Sequence, residues 1–439
     1  MPSLESVDLL IEARWVLPIA PVNTALAHHA VAVRDGRIVA LGPAPQLLER
    51  FEPRERVQRA THALLPGFVN AHTRAATTLL RGLPVYGPRQ RWMQTTVRPA
   101  ARAVMSPDFV RAGTQLAIAE MLRAGITSFA DMYLFPEEAA RVASAARVRA
   151  AIGLPVTDGP TVWAENATGH LAKAERLWDE YRADPWVSLY FAPHDALGEN
   201  DQTLARVRRV ADELDARVAL YLAPGETAAD RAQQRSPLGR LRELGLLRPG
   251  FTAIHLGELD AAAMEMVAAT GISVVACQQA HLRLGEGPSP ILALAARGVP
   301  VALGTDSALA AGALDMLAEA RLAALLAGSK DCGEPIADTV LRIATLGGAS
   351  VLGLNALIGS VEPGKAADLV CIDLAALGSQ SHSRPADALV FGATRHQVTD
   401  VWTAGRPAIR AGHLLTFDEQ ELLSLASRWA GRLPAGANA

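Results

Sequence analysis

The chain has 439 residues, of which half are hydrophobic and a fifth are charged, so it can build one large domain and a smaller one. Its net charge of −3 argues against nucleic acid as a partner, and its three dispersed cysteines argue against a disulfide framework or a cysteine zinc site. The sequence shows neither a signal peptide nor an apolar stretch of about 18 residues, so we expect a cytoplasmic protein without a membrane partner.

The first 60 residues are predicted to form β-strands, including a hairpin that turns at Asp35 and Gly36. An alternation of short apolar runs with amphipathic helical patterns follows. The eight runs are 64–72, 125–133, 148–156, 186–194, 217–226, 251–256, 272–277 and 300–306. Eight strands that alternate with helices over about 250 residues predict a (β/α)8 barrel of the α/β class.

After residue 357 the pattern returns to β-strands, and the chain ends in a helix over "DEQELLSLASRWAGRL". Each β-rich end is too small to bury a core alone, so we expect both ends to join in one small composite β-sandwich. The predicted domains are therefore residues 1–63 as the first part of the sandwich, 64–357 as the barrel, and 358–439 as the second part of the sandwich with the C-terminal helix.

Polar residues follow several of the predicted barrel strands, at the end where barrel enzymes place their chemistry. A single histidine or aspartate in such a place has an ordinary explanation as a hydrogen-bonded loop residue or a helix cap. Six of them on the strand ends of one barrel indicate an active site, either present or ancestral. They are His72, Arg74, His194, Glu226, His255 and Asp306.

Five segments of the chain resemble the amidohydrolase superfamily, and most of all its 5'-methylthioadenosine/S-adenosylhomocysteine deaminases. They are "LLPGFVNAHTRAATTLLRG", "AEMLRAGITSFADMY", "APHDALGEN", "VALGTDSALAAGALDMLAEARLAALL" and "IGSVEPGKAADLV". The resemblance extends over almost the whole chain. It implies a zinc-dependent barrel with a composite β-sandwich, which agrees with the pattern of strands and helices.

In that family a His-x-His pair on strand 1, a histidine on strand 5 and an aspartate on strand 8 bind the metal. The resemblance therefore assigns metal ligation to His72 and Asp306. It makes Glu226 the proton shuttle and His255 the contact to the zinc-bound water, so Glu226, His255 and Asp306 are the candidate catalytic residues. To substrate binding we assign His194, His281, Trp92 and His170.

Two of the four metal ligands of the family are replaced in this chain. Arg74 stands at the second position of the His-x-His pair, and Ala223 stands at the position of the strand-5 histidine. Zinc takes about four ligands, and a guanidinium cannot be deprotonated to become one. We therefore expect no metal cofactor, or zinc if any metal binds, and we expect the Arg74 fork to bond Asp306 through two nitrogens in place of the metal.

Three functions remain open at this point. The first is a metal-free descendant of a deaminase that binds a small molecule, such as a purine nucleoside, without deaminating it. The second is an active hydrolase or deaminase acting on a purine nucleoside-like or other C–N bond, with a reduced metal site of His72, His255 and Asp306. The third is a non-catalytic partner subunit of an intact relative. The resemblance also predicts a homo-oligomer.

Overall fold

The computed structural model describes residues 4–85, 87, 89–193, 199–222, 236–328, 335–380 and 383–433. Its strands form two eight-stranded sheets, one built from both chain ends and one from the middle of the chain. In chain order they are β1 (Glu5–Val16), β2 (Leu26–Arg34), β3 (Arg37–Pro43), β4 (Phe51–Pro66), β5 (Phe68–Thr73), β6 (Ile126–Asp131), β7 (Arg149–Val156), β8 (Val187–Pro193), β9 (Arg217–Tyr221), β10 (Phe251–Ile254), β11 (Ser273–Ala276), β12 (Val301–Leu303), β13 (Leu369–Asp373), β14 (Val398–Thr403), β15 (Arg406–Arg410) and β16 (His413–Leu414).

The chain ends share one sheet, in the order β16-β15-β14-β13-β4-β1-β2-β3. β2 and β3 form the predicted hairpin, whose turn residues Asp35 and Gly36 both have the positive φ that such a two-residue turn requires. Ile38 on β3 donates its N–H to the carbonyl of Lys365 at 2.9 Å, so β3 also contacts the segment that precedes β13. One buried cluster contains side chains from β1, β2, β4, β13 and β14. The prediction that both chain ends build one β-domain is confirmed.

The middle of the chain forms a parallel sheet in the order β5 to β12, and each strand overlaps one of the eight predicted runs. Every residue of β6 and of β7 is buried, which explains why these runs are continuously apolar and do not alternate. The first run, 64–72, is divided, because β4 ends at Pro66 and β5 begins at Phe68. The predicted (β/α)8 barrel is confirmed.

The barrel closes where β5 meets the segment that follows β12. Thr73 forms a parallel bridge with Asp306, and the carbonyl of His72 accepts hydrogen bonds from the N–H groups of Thr305 and Asp306, both at 3.0 Å. Gly304 permits this approach, since a Cβ at that position would lie 2.7 Å from the nitrogen of His72. The first and last strand ends of the barrel are thereby fixed side by side.

Side-chain caps begin many of the helices. The side chain of Asn200, for example, accepts a hydrogen bond from the N–H of Thr203 at 2.8 Å. The α-helices are Ala44–Arg50, Arg89–Trp92, Arg98–Val104, Pro107–Arg123, Pro136–Ala146, Ala167–Tyr181, Asp201–Glu213, Pro237–Glu243, Ala261–Thr270, Gln278–Arg283, Ile291–Ala295, Ala308–Ala311, Met316–Ala327, Ile336–Arg342, Gly348–Leu352, Pro385–Asp387 and Glu419–Ala430. Stretches of 3-10 helix span Ala75–Leu80 and Arg395–Gln397, and π-helical turns span Met93–Val97, Ile343–Gly347 and Ala388–Gly392.

The chain divides into two compact units. The first contains the chain up to Asn70 together with Ala119–Ser128 and Asp315–Glu419, and the second contains Ala71–Ile118, Phe129–Leu314 and the chain from Gln420 onwards. All of the side chains that form the site described below belong to the second unit. Within the described ranges, none of the helices has the length and apolar character needed to cross a membrane.

Candidate functional site

Several strand ends of the barrel converge on one cluster of polar side chains. His72 lies near the end of β5 and Tyr221 ends β9, while His255 directly follows β10. Asp306 lies three residues beyond β12, and His281 lies in the helix that follows β11. All five side chains are buried. The cluster therefore lies at the C-terminal ends of the strands, where the sequence predicted it.

Asp306 is the centre of the cluster. Its Oδ2 lies 3.3 Å from Nε2 of His255, and its Oδ1 lies 3.8 Å from Nε2 of His72. The backbone at both His255 and Asp306 is left-handed, with φ of 60° and 53°. Non-glycine residues rarely adopt this conformation, and it concentrates at functional sites because the surrounding structure must enforce it. The surrounding structure therefore holds both residues in a strained backbone conformation, in which their side chains meet in the cluster.

Arg74 directly follows β5, and its side chain points into the cluster. Its Nε lies 3.6 Å from Oδ1 of Asp306, and the side chain is only 14% exposed. Asp131 holds the turn that carries Arg74, because its Oδ1 accepts a hydrogen bond from the N–H of Ala75 at 2.7 Å. Arg74 thus forms the expected ion pair with Asp306, but the expected bond through two nitrogens is absent, since Oδ1 accepts no hydrogen bond from the described residues.

A second guanidinium explains this difference. Nη1 of Arg89 lies 3.4 Å from Oδ2 of Asp306, so the carboxylate is shared between two arginines. Nε of Arg89 donates to Oε1 of Glu286 at 2.7 Å. Arg89 therefore joins the two carboxylates of the cluster, and Arg74 does not need to neutralise Asp306 alone.

Aromatic and imidazole rings pack around these charges. The ring of Tyr221 lies 4.6 Å from the ring of His255, which in turn lies 4.8 Å from the ring of His281. The guanidiniums of Arg74 and Arg89 lie over the Tyr221 ring, at 5.7 Å and 5.0 Å from its centroid. Both distances are in the range of a cation–π contact. Both guanidiniums of the cluster therefore contact the same ring.

Burial keeps the imidazoles of the cluster neutral. It lowers the pKa of His72 to about 4 and holds the pKa of His255 well below its usual value, although Asp306 opposes both shifts. Burial alone would raise the pKa of Asp306, but His255 and the two guanidiniums hold that pKa well below its usual range. Neutral imidazoles beside an ionised carboxylate are the protonation states that metal ligation requires.

These side chains fit a divalent metal ion. The ligand atoms of His72, His255 and Asp306 lie within 4.8 Å of one another. Among the described residues, both ring nitrogens of each histidine and Oδ1 of Asp306 have no hydrogen-bond partner, which is costly for buried polar atoms. Two histidines and one carboxylate suit a divalent metal, and catalytic zinc sites use three protein ligands. The expectation that no metal binds is therefore not confirmed.

A second group of possible ligands adjoins the first. The ligand atoms of His255, His281 and Glu286 also lie within 4.8 Å of one another. Burial lowers the pKa of His281 to about 4, with a further contribution from Arg89. Burial also raises the pKa of Glu286, while Arg89 opposes that shift. Since Nε of Arg89 already bonds Glu286, this group is the weaker candidate for a metal.

The other residues assigned from the sequence have different outcomes. His194, Ala223 and Glu226 lie outside the described residues, so their roles stay predictions. Trp92 is buried, and its Nε1 donates to the carbonyl of Pro84 at 3.0 Å. This contact gives Trp92 a packing role, and its assignment to substrate binding also stays a prediction.

His170 lies on the helix Ala167–Tyr181, and its ring is held on both sides. Its Nδ1 donates to the carbonyl of Pro155 at 2.9 Å, and its Nε2 lies 3.2 Å from the hydroxyl oxygen of Thr161. Its ring also packs against Trp163, at 5.3 Å between centroids. Both ring nitrogens thus have partners within the protein, and substrate binding by His170 stays a prediction.

Sequence reasoning missed Arg89 and Glu286. Neither follows a predicted strand, and neither falls in a segment that resembles the family. The available signal was charge balance, because a buried Asp306 beside further acidic groups needs more than one cation. That argument led to Arg74 and should have been extended to the arginines of "GPRQRW".

The chain is similar to known proteins over almost its full length. A model described as amidohydrolase family matches residues 63–408, and one for the imidazolonepropionase-like composite domain of bacteria matches residues 30–51. The 5-methylthioadenosine/S-adenosylhomocysteine deaminase of Teredinibacter turnerae is 34% identical over 99% of this chain and 100% of that protein. The protein of the same name from Saccharophagus degradans is 33% identical over 98% of this chain and 97% of its own length.

Solved structures give the same result. A crystal structure of an adenosine deaminase from Xanthomonas campestris with bound zinc is 43% identical, with a TM-score of 0.95 over 98% of this chain and 99% of that one. The atrazine chlorohydrolase of Arthrobacter aurescens complexed with zinc is 21% identical, with a TM-score of 0.86 over 96% of this chain and 100% of its own. At that lower identity the likeness concerns the fold alone.

Proposed function

Because the chain belongs to the amidohydrolase family, we propose that it is a metal-dependent hydrolase that acts on a C–N bond of a small amino-substituted heterocycle. The metal ligands in this proposal are His72, His255 and Asp306. The relatives named as 5-methylthioadenosine/S-adenosylhomocysteine or adenosine deaminases support a purine-like ring and release of ammonia. Three residues of this chain would thus bind the metal, where the resemblance implies four ligands in the family.

One observation carries this proposal. Three buried side chains of the right type direct ligand atoms to within 4.8 Å of one another, and the imidazole nitrogens have no partner among the described residues. A site that had been abandoned would be expected to fill with apolar side chains or to satisfy its polar atoms internally, because buried unsatisfied groups each cost about 1–3 kcal/mol. Here the ring nitrogens of both histidines and Oδ1 of Asp306 have no hydrogen-bond partner among the described residues, which is what a bound ligand would explain.

Each described side chain has a definite task in this scheme. A divalent ion in such a site supplies Lewis-acid activation of water. Asp306 and the two neutral imidazoles hold it, and the guanidiniums of Arg74 and Arg89 fix the orientation of the carboxylate, as outer partners of a ligand commonly do. Proton transfer to the leaving amine is assigned to Glu226 through the resemblance.

Metal analysis of protein purified without chelator tests the proposal. We expect about one zinc per chain after reconstitution, as a three-ligand catalytic site would hold, together with ammonia release from adenosine, 5'-methylthioadenosine or S-adenosylhomocysteine. His255→Ala should lose both. His413→Ala is the matched control, because His413 is exposed on β16. Zinc uptake that is the same in His255→Ala and in the parent protein would contradict this ligand set.

A second candidate is a metal-free protein that binds a small molecule without hydrolysing it. The approach of both Arg74 and Arg89 to Asp306, at 3.6 Å and 3.4 Å, favours it, because two cations can neutralise the carboxylate without a metal. The two candidates separate on metal content. Protein that takes up no zinc, but still binds adenosine in calorimetry, would support the second candidate and exclude the first.

A further inference from the structure

We propose that the substrate carries a negative charge, in the form of a carboxylate close to the scissile C–N bond, and that Arg89 binds this carboxylate. This inference rests on the proposed function and narrows its substrate class from amino-heterocycles in general to anionic ones. The names of the relatives do not require an anion beside His72, His255 and Asp306.

The donors of Arg89 are only partly used. Its Nε bonds Glu286 at 2.7 Å, and its Nη1 reaches Asp306 at 3.4 Å. Its Nη2 is buried and has no hydrogen-bond partner in the described part of the chain. Nε of Arg74 is in the same condition. Two guanidiniums beside one carboxylate thus each retain a buried N–H group without a hydrogen-bond partner among the described residues, and a further acceptor would satisfy both groups.

The charge of the cluster leads to the same conclusion. Arg74 and Arg89 are balanced by Asp306 and Glu286, so the four described charged groups sum to zero. A divalent ion on His72, His255 and Asp306 would raise this sum to +2, because histidine binds a metal as the neutral imidazole. Glu226, which lies outside the described residues, would lower it to +1. A buried excess of positive charge is costly unless an anion enters with the substrate.

The geometry suits a carboxylate in particular. Both guanidiniums lie over the ring of Tyr221, at 5.7 Å for Arg74 and 5.0 Å for Arg89, so their positions are fixed before ligand arrives. A guanidinium presents parallel N–H groups that match the two oxygens of a carboxylate. If Arg89 served only to neutralise Glu286 and Asp306, a bond through Nη1 and Nη2 to one of them would leave fewer donors unused.

A matched pair of probes tests the inference. Benzoate and benzamide have the same shape and differ in charge, so their affinities for zinc-loaded protein can be compared by calorimetry. We expect benzoate to bind at least about tenfold more tightly, which corresponds to one hydrogen bond to a charged group. Arg89→Met should abolish this preference. Arg91→Met is the control, because Arg91 is exposed on the same short helix, Arg89–Trp92.

Zinc content is measured on the same samples, so that the two proposals fail separately. Equal affinities, or tighter binding of benzamide, in zinc-loaded parent protein would overturn the anionic substrate and leave the hydrolase proposal standing. A parent protein that takes up no zinc would overturn the hydrolase proposal, and this inference with it. If Arg89→Met does not fold, Arg89→Lys replaces it and should reduce the preference by losing the planar fork. A preference equal to that of the parent would contradict the role of Arg89.

Discussion

Asp306 and Asp400 are both buried carboxylates that contact arginine, and they are bonded in different ways. Asp400, in the sheet built from the chain ends, accepts from Nε and Nη2 of Arg59, both at 2.6 Å. The hydroxyl of Thr399 at 2.7 Å and the N–H of Ala411 at 3.3 Å complete its partners. Asp400 is 1% exposed, and both of its oxygens are satisfied. This is the closed arrangement that a structural ion pair is expected to reach.

Asp306 is buried to the same degree, but its hydrogen bonds within the described residues are incomplete. Its two guanidiniums stay at 3.4 Å and 3.6 Å, and its Oδ1 accepts no hydrogen bond from the described residues. Burial of a charge is tolerated only when its partners are complete. The described residues therefore complete the hydrogen bonds of Asp400 but not those of Asp306, and the proposed metal ion would complete the latter.

The largest difference between the two carboxylates should appear on removing their charges. Asp306→Asn should abolish zinc binding and reduce ammonia release at least about 10³-fold, the order of loss found when one preorganised electrostatic group is removed from an active site. Asp400→Asn should retain both properties in its folded fraction and lose thermal stability. Zinc stoichiometry and initial rates measure this. Equal rates in Asp306→Asn and the parent would place the chemistry elsewhere.

Removing the arginine partner of Asp400 should lower the stability of the protein. Arg59→Met leaves Asp400 buried without its main partner and should destabilise the protein by about 3 kcal/mol, the lower end of the cost of breaking a buried pair. Arg54→Met, on the same strand β4, is the control, because the Arg54 side chain is 77% exposed and surface substitutions change stability by at most about 0.5 kcal/mol. Denaturant midpoints compare the two. Similar midpoints would show that the closed pair is not stabilising.

The fold could be predicted from the sequence further than the site could. The eight barrel strands and the Asp35–Gly36 hairpin follow from continuous apolar runs and turn residues, which are local signals. The cluster around Asp306 could be located as well, because its histidines and aspartate lie at the ends of strands that these local signals predict. Arg89 and Glu286 were not identified, because neither follows a barrel strand: Arg89 begins the short helix Arg89–Trp92, and Glu286 lies between two helices. Only the three-dimensional structure brings such segments together. The predicted contact between Arg74 and Asp306 is present at 3.6 Å, but Arg89 shares the carboxylate and the expected two-nitrogen bond does not form.

The buried histidines around Asp306 should also make the stability of the protein depend on pH. The pKa of His281 is lowered from 6.5 to about 4, chiefly by burial, so between these values the unfolded chain binds a proton that the folded chain does not. Stability therefore falls as pH decreases from 6.5 towards 4. In zinc-free protein, His281→Asn should remove on the order of 2 kcal/mol of this loss at pH 5. Unfolding midpoints at pH 7.5 and pH 5 measure it, with His413→Asn as the exposed control. An unchanged difference between the two pH values would contradict the neutral buried imidazole.

The smallest expected effect concerns Arg74 itself. Arg74→His removes a cation that lies 3.6 Å from Asp306 and supplies an imidazole at the second position of the family's His-x-His pair. Zinc affinity should increase at least about tenfold, equivalent to about 1.4 kcal/mol, in competition with a chromophoric chelator. Arg81→His is the control, because it adds a histidine at an exposed position after the helix Ala75–Leu80.

Arg74→Met separates the two causes of that gain, since it removes the charge without adding a ligand. If Arg74→Met and Arg74→His increase affinity equally, repulsion by the guanidinium accounts for the whole effect and the site keeps three protein ligands. If only Arg74→His increases it, the new imidazole binds the metal as a fourth ligand. If neither variant differs from the parent, the metal does not lie beside Asp306, and this carboxylate, like Asp400, is completed by arginine alone.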